Sequence, residues 1–549
     1  MELDLRPNGK LPIEYCRYIS EIEEPTRLKY NEYTSNLITS NSIKSMGWFN
    51  RLTCRNTHLS NLLHCFCRIE LLKYALAANK GIDRVRVDSF GMYKASQRIV
   101  KSMNSGATVV LSKSNSVNSS PISNFLKSCY KLANSFIWPK LFGVKKIPNE
   151  KIIYLDTFLF IDSFDANNTY QDRYYPGIEK LVKDKNKIWY SPTLIGINHP
   201  KNFYHLFKAI RSSSKQFLIK EEWLKFSDYI SAIFLSFTLT RTITSIPLLD
   251  NLKIEELVNE EIRKDKFSMD IINPILIYLF IKRLKMSNIE IELVVDWNEN
   301  QVIDRALIMG IRKFYSDTRI HGYQGYIVPD FYACKDPTVI EYESKTLPDE
   351  IFVIGKKFIE DKKKYCSSLS VSVAPAFRFS EIKKIKREPK KISNTIILIL
   401  PISIKESKEI INIGLKLNKL IGNEYDFYLK QHPTYTREKL FKVFPEIKNS
   451  SIKILNKGLY SLLSETKLLI SSSSSVCIEA SIIGIKVAII GSRSGPAMNP
   501  LKALEGFTNW QVCYTEKEVL NLLLSPTIKV NIETEDYLSS VQFSSLLQS

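Results

Sequence analysis

Beyond residue 394 the chain alternates between short, mostly apolar runs and longer stretches in which apolar residues recur every three or four positions. The runs at 395–401, 426–430, 452–455, 468–470 and 487–491 read as strands, and the stretches at 409–420, 437–444, 459–466 and from Val476 onward read as helices. A strand that is apolar on both faces needs cover on both, so this rhythm predicts an open parallel sheet wrapped by helices. Ligands of such sheets bind at the carboxyl ends of the strands.

The middle of the chain repeats the pattern less regularly, with strands expected at 84–88, 107–111, 151–161, 187–190, 289–295 and 351–355 and a helix at Val302–Phe314. Residues 10–80 read as helical, since Leu59, Leu62, Phe66, Ile69, Leu72 and Leu76 fall on one helical face. The Ser- and Asn-rich stretch 102–123 reads as a surface loop and the lysine-rich stretch 380–393 as an interdomain linker. The fold expected is α/β, with two Rossmann-like doubly wound domains facing a cleft. The first spans 1–385, including the helical extension 10–80, and the second 390–526; a polar tail follows at 527–549. A length of 549 residues agrees, being too great for one hydrophobic core.

Charge and cysteine usage narrow the partners. The formal net charge of +20 suits phosphate-bearing ligands or an anionic membrane face. The lysines are scattered and no nucleic-acid-binding motif occurs, so no nucleic-acid partner is expected. Nine dispersed cysteines without a C-x-x-C pair suggest a reducing compartment and no structural zinc. His64, Cys65 and Cys67 read as part of a buried helix. The start lacks a signal-peptide layout, and the runs 229–239 and 271–281 fall short of the roughly 20 residues of a bilayer span, so they read as buried core. A cytoplasmic protein is expected, with peripheral contact at the inner face of the plasma membrane.

Two constellations carry candidate chemistry in the second domain. The predicted strand 426–430 runs into Gln431-His432-Pro433, which sets Lys430 and His432 in the ligand crevice, where His432 either donates to a phosphate or merely caps a turn. The strand 468–470 runs into five serines, Ser471 to Ser475, and then a helix bearing Glu479. Serine hydroxyls and unpaired amides at a helix start attract anions; Glu479 can accept from ribose hydroxyls or only favour the helix dipole.

The string Lys430-Gln431-His432-Pro433, the serine turn and Glu479 to Val487 together resemble the carboxyl-terminal half of GT-B glycosyltransferases. More narrowly they resemble bacterial sialyltransferases and Kdo transferases, whose HP and serine motifs hold a CMP-activated sugar. That resemblance implies a phosphate contact for His432 and phosphate or sugar-carboxylate contacts for Ser473, Ser474 and Ser475, with Lys430, Pro433 and Glu479 completing the nucleotide-sugar site. The strings 296–306, 321–326, 347–350 and 374–379 resemble bacterial surface-carbohydrate biosynthesis proteins. Transfer of a sugar, in its narrowest form a CMP-linked ulosonic or nonulosonic acid, to a surface polysaccharide or lipid-linked glycan follows as the expected activity, in lipopolysaccharide or capsule assembly. The nucleotide-sugar is then substrate rather than cofactor, and no metal is expected. A nucleotide-sugar epimerase of the same architecture and a non-catalytic carbohydrate-assembly protein are the alternatives.

A base for such transfer is less plainly marked. Glu299 and Asp304 sit where a strand gives way to a helix and serve either as acceptor-activating carboxylates or as electrostatic support for that helix. His321, Tyr323 and Gln324 read as a glycine-flanked loop, either acceptor-binding or an ordinary turn. The acidic base motif of sialyltransferases is absent, and Asp162 and Asp165 offer other carboxylates at a strand end.

Overall fold

The computed structural model describes residues 1–549 apart from 79–80, 113–120, 143–145, 166, 198, 383–384, 386–393, 433–434, 456–457, 505, 527–532, 541–544 and 549. Its apolar runs settle into three parallel sheets. The smallest joins β1 (Glu2–Asp4), β2 (Arg84–Val87) and β3 (Thr108–Leu111) in that order. The next contains β4 (Ile152–Leu159), β5 (Ile188–Leu194), β6 (Gln216–Phe217), β7 (Ile291–Trp297), β8 (Arg319–Gln324), β9 (Glu350–Val353) and β10 (Val371–Val373). The last contains β11 (Thr395–Ile399), β12 (Asp426–Lys430), β13 (Lys453–Ile454), β14 (Thr466–Ser471), β15 (Lys486–Ile490) and β16 (Trp510–Cys513).

Their spatial orders are β10-β9-β8-β7-β4-β5-β6 and β13-β12-β11-β14-β15-β16. Counted from its own first strand, each large sheet is wound 3-2-1-4-5-6, the Rossmann order, with β10 as an added edge. Two Rossmann-like domains are therefore present. β11 shows why the sequence folds this way: Ile396 and Leu398 enter the cluster of Ile410, Ile411 and Leu417, while Ile397 and Ile399 enter the one holding Val487 and Ile489. Alternate residues fill opposite layers, as a doubly covered strand requires.

The helical extension is built from helices Ile13–Glu21, Glu23–Ser40 and Leu62–Ala77. The strands expected at 84–88 and 107–111 do form, but in the separate small sheet, whose third member β1 is too short to show a pattern in sequence. Of the two apolar runs read as core, 271–281 is largely buried in helix Met269–Met286. Helix Phe226–Leu239 instead leaves Phe226, Ile230 and Phe234 exposed. Within the stretch 102–123 the residues at 108–111 form β3, and 113–120 lie outside the described residues, as does most of the expected linker 380–393.

The expected polar tail is a structural segment. Ser539 donates from its amide to Ile354 O (2.7 Å) and accepts from the Ala376 amide (2.9 Å), and Lys357 N donates to Asp536 O (3.1 Å). Tyr537, Leu538, Leu546 and Leu547 are buried, so the chain returns to the first large sheet after completing the second. At Gly355 a Cβ would lie 2.4 Å from Tyr537 O, which shows how closely the returning backbone passes. Four apolar anchors among polar residues suffice to hold a segment that composition alone marks as tail.

A buried charge cluster ties the extension to the first large sheet. Glu341, 1% exposed, accepts from the Arg55 guanidinium (2.7 Å) and from that of Arg305. Arg305 also donates to Thr53 O (2.7 Å), and Arg55 to Asn31 Oδ1, Ala333 O and Asp336 O. Burial is the largest single effect on the Glu341 carboxyl and raises its pKa, but Arg55, Arg305 and the Thr338 hydrogen bonds together outweigh it and hold the carboxyl below its ordinary value. Removing one partner of such a cluster strands the other charges in the interior. Glu341→Ala is expected to destabilise by about 3–5 kcal/mol, measured as the denaturant midpoint; because the depressed carboxyl confers stability only above its unfolded pKa, the gap to wild type narrows as pH falls into the acid range.

Candidate functional site

The carboxyl ends of the two large sheets open onto one cavity of about 690 Å³, closed on a third side by the helical extension. Glu299 contributes from the loop after β7 and Ser473 from the turn after β14. Switch points of doubly wound sheets are where ligands bind, and here two of them meet.

Glu299 is half-buried and held by neutral donors. Trp297 Nε1 donates to its Oε1 (2.9 Å) and Gln301 Nε2 to its Oε2, while its own amide donates to Asp304 Oδ2 (2.9 Å). No cation pairs with this carboxylate among the described residues, so it is oriented without being neutralised.

The serine turn is stitched to the sheet and to helix Ile404–Ile421. Ser471 Oγ donates to Ile399 O (2.8 Å); Ser472 and Ser473 both donate to Glu406 Oε2, at 2.5 and 3.0 Å. Glu406 lies in the first turn of that helix, whose N-cap Ser403 accepts its amide. Ser473 therefore enters the cavity beside Glu406. Ser474 and Ser475 turn the chain into helix Val476–Ile482 and do not line the cavity; Ser475 makes no side-chain cap.

Lys430 ends β12 and His432 follows two residues later, on the same edge of the sheet as the serine turn, with β11 between. Strand spacing puts them about 10 Å from that turn. Neither lines the cavity, and burial lowers the His432 pKa so that the ring is neutral near pH 7. Pro433 lies outside the described residues. Glu479 points into the contact between the domains. Burial pushes its pKa up to about 7, opposed by Arg378 of the first domain and a hydrogen bond to Tyr460.

Several sequence-based expectations are corrected. Asp304, 2% exposed, accepts from the amides of Glu299 and Gln301 and caps helix Val302–Phe314; burial, with Asp296 and Asp156 nearby, drives its pKa well up. It supports the Glu299 loop from behind rather than reaching the cleft. His321, Tyr323 and Gln324 belong to β8, not to a loop. His321 Nδ1 bonds Leu546 O (2.9 Å), Tyr323 OH donates to Pro375 O (2.7 Å), and Gln324 Nε2 donates to Tyr326 OH (3.1 Å), so all three are engaged in packing. The flanking glycines admit neighbours rather than a ligand: a Cβ at Gly322 would meet Pro348 at 2.6 Å and one at Gly325 would meet Tyr323 at 2.3 Å. Asp162 pairs with Arg173 and Asp165 accepts the amides of Asn167 and Thr169, both away from the cavity.

The cavity also holds His64, read from sequence as part of a buried helix, and residues that sequence reasoning passed over: His58, Arg68, Lys405, Glu406, Glu409 and Arg493. Lys405 is tied to Pro7 O and Ser494 Oγ, and Arg493 donates twice to Leu11 O (3.0 and 2.7 Å). Arg68 differs. It is 7% exposed and, among the described residues, makes no hydrogen bond and no ion pair. Its only signal in sequence is a cation in the apolar first half of helix Leu62–Ala77, which also bears Lys73.

No protein-family model matches this chain, and no curated protein matches it. Among solved structures it is similar to an MnaA–UDP co-structure from S. aureus, at 11% identity over 68% of this chain and 88% of that one, with a TM-score of 0.37. An α,α-trehalose-phosphate synthase (UDP-forming) from Burkholderia vietnamiensis gives 9% identity over 69% and 92%, TM-score 0.34. UDP-GlcNAc 2-epimerase from Neisseria meningitidis bound to UDP-GlcNAc gives 14% over 56% and 82%, TM-score 0.33. Likeness at this level leaves function to rest on the residues of this chain.

The raised pKa of Glu479 fixes a pH dependence. Its folded state binds a proton that the unfolded chain releases near the ordinary value of 4.5, so the stability it confers is present below that pH and is lost as pH rises through about 7. Glu479→Gln is expected to match wild type near pH 4.5 and to exceed it at pH 8 by up to about 3 kcal/mol, read from denaturant midpoints; equal midpoints at both values would contradict this.

Proposed function

We propose that this chain is a glycosyltransferase of GT-B architecture, moving a sugar from a nucleotide donor to a surface polysaccharide or lipid-linked glycan. A CMP-activated ulosonic or nonulosonic acid is the donor that the HP and serine motifs favour. The observation that carries the reading is that Glu299 of the first domain and Ser473 of the second face one cavity at the carboxyl ends of two Rossmann sheets. Glu299, oriented by Trp297 and Gln301, accepts the proton of the attacking acceptor hydroxyl. Ser473, the residue of the serine turn that lines the cavity, turns its hydroxyl from Glu406 to an oxyanion of the donor. Lys430 and His432, on the same sheet edge, meet the nucleotide, and the neutral His432 ring donates to the phosphate as the sugar departs.

One observation favours a second reading. The cavity is lined by three carboxylates, Glu299, Glu406 and Glu409, and by His58 and His64. A nucleotide-sugar epimerase uses such groups to move protons at a sugar carbon. The two readings separate by product, since an epimerase converts a nucleotide-sugar with no acceptor present, whereas a transferase releases free nucleotide as the sugar leaves.

Thermal-shift measurements with CMP, UDP, GDP and ADP are expected to show stabilisation by one nucleotide, about 2.7 kcal/mol at a hundredfold excess over its Kd. CMP alone fits the narrow donor assignment; UDP moves the assignment to another donor. Glu299→Gln is expected to retain that shift and to lose about 100-fold or more in turnover, and a fully active variant would remove Glu299 as the base.

A further inference from the structure

We infer that Arg68 receives an oxyanion of the ligand in the interdomain cavity, so that the helical extension completes the site. This rests on the cavity being a substrate site, as the proposed function has it. Burying a guanidinium without a partner is unfavourable, and buried polar groups in folded chains are almost always satisfied. Arg68 has no protein partner among the described residues and keeps its contact with solvent through a cavity large enough for a nucleotide. The other cations of the wall do not share its condition: Lys405 and Arg493 are engaged with Pro7, Ser494 and Leu11. Three carboxylates line the same cavity, and none pairs with Arg68.

A planar guanidinium matches phosphate and carboxylate oxygens two at a time. The class of ligand group is therefore an oxyanion, supplied either by the phosphate of the donor or by an acidic group elsewhere in the substrates. Ser473 lies across the cavity on the second domain. Ser473 donates its hydroxyl to Glu406 on that wall, which leaves Arg68 as the cation that faces the cavity without a protein partner among the described residues.

The test compares wild type, Arg68→Gln and Arg68→Lys by thermal shift with CMP, UDP, cytidine, uridine and inorganic phosphate. With ligand absent, Arg68→Gln is expected to be at least as stable as wild type, because an unpaired buried charge is removed; a clear loss of stability would instead mark a structural role and overturn the inference. A donor phosphate at Arg68 predicts nucleotide affinity at least tenfold weaker in Arg68→Gln, partly restored in Arg68→Lys, with nucleoside affinity unchanged. An oxyanion from elsewhere predicts equal nucleotide affinity and loss of the inorganic-phosphate response. Phosphate binding without nucleotide binding by wild type would sink the transferase reading and leave Arg68 in place. Equal responses of wild type and Arg68→Gln to every probe, or no response of wild type to any, would overturn it.

A second inference stands on a different surface: we propose that helix Pro121–Phe142 lies on an anionic bilayer. Ile122, Leu126, Tyr130 and Leu141 are each at least 60% exposed, with Ile137 nearly half exposed. Their spacing places all five within an arc of roughly 100° along roughly 29 Å of helix. The helix bears Lys127, Lys131 and Lys140 and no acidic residue. Helix Phe226–Leu239 packs beside it through Phe136 and Phe226 (5.6 Å) and exposes Phe226, Ile230 and Phe234 at the same four-residue interval. Its one acid, Asp228, is buried and paired with Arg283. Apolar stripes beside lysines match the interfacial region of an anionic leaflet. No helix among the described residues is long and apolar enough to cross a membrane.

Wild type is expected to float with phosphatidylcholine vesicles containing phosphatidylglycerol, less so at high salt, and not with phosphatidylcholine alone. Leu126→Glu combined with Leu141→Glu, both exposed, should abolish flotation with an unchanged circular-dichroism spectrum. Absence of flotation by wild type, flotation undiminished in the double variant, or a concentration-dependent dimer that the double variant loses would each overturn the proposal.

Discussion

Two guanidinium groups sharing one buried carboxylate hold the first half of the molecule in register. Arg55 comes from the extension, Arg305 from the helix after β7 and Glu341 from the segment before β9, so three distant pieces of chain meet at a single charge. Asn300, beside Glu299, reaches the same cluster through Glu341 Oε1 and Cys334 O. The candidate base and the extension that carries Arg68 are thereby positioned by one electrostatic knot. Replacing such a knot with apolar packing is often neutral for stability, but breaking half of it is not, and this asymmetry fixes the pieces relative to one another.

On that frame the cleft combines two kinds of polar group. Ser472, Ser473, Glu406 and Glu299 are satisfied internally and hold their geometry before any ligand arrives. Arg68 is not satisfied. Preorganised hydroxyls and an oriented carboxylate lower the reorganisation needed during reaction, whereas an unmatched cation makes the empty cleft less favourable than the filled one. The oxyanion proposed for Arg68 would draw on the second property more than on the first.

The winding of the second sheet was legible because strands such as β11 are apolar on both faces, a pattern that few alternatives produce. Glu299 and the serine turn were legible because each follows a strand directly, and strand ends in this fold face the ligand. The β8 residues were misread for a physical reason: glycines that let Pro348 and Trp297 approach look in sequence like glycines that let a ligand approach. Asp304 shows the same ambiguity, since a helix-capping carboxylate and a reactive one occupy identical places in the chain. Arg68 was invisible because its meaning lies in a missing partner, which only the folded arrangement defines. The segment after 532 was misjudged because its few anchors are diluted among polar residues.

The return of the last residues to the first large sheet has a mechanical consequence. The second large sheet begins at Thr395, and by Ser539 the chain is again fastened to Ile354 and Ala376 of the first half. Lys405 and Arg493 of the second domain also bond Pro7 and Leu11 of the extension, so the walls of the cavity are clamped together from several sides.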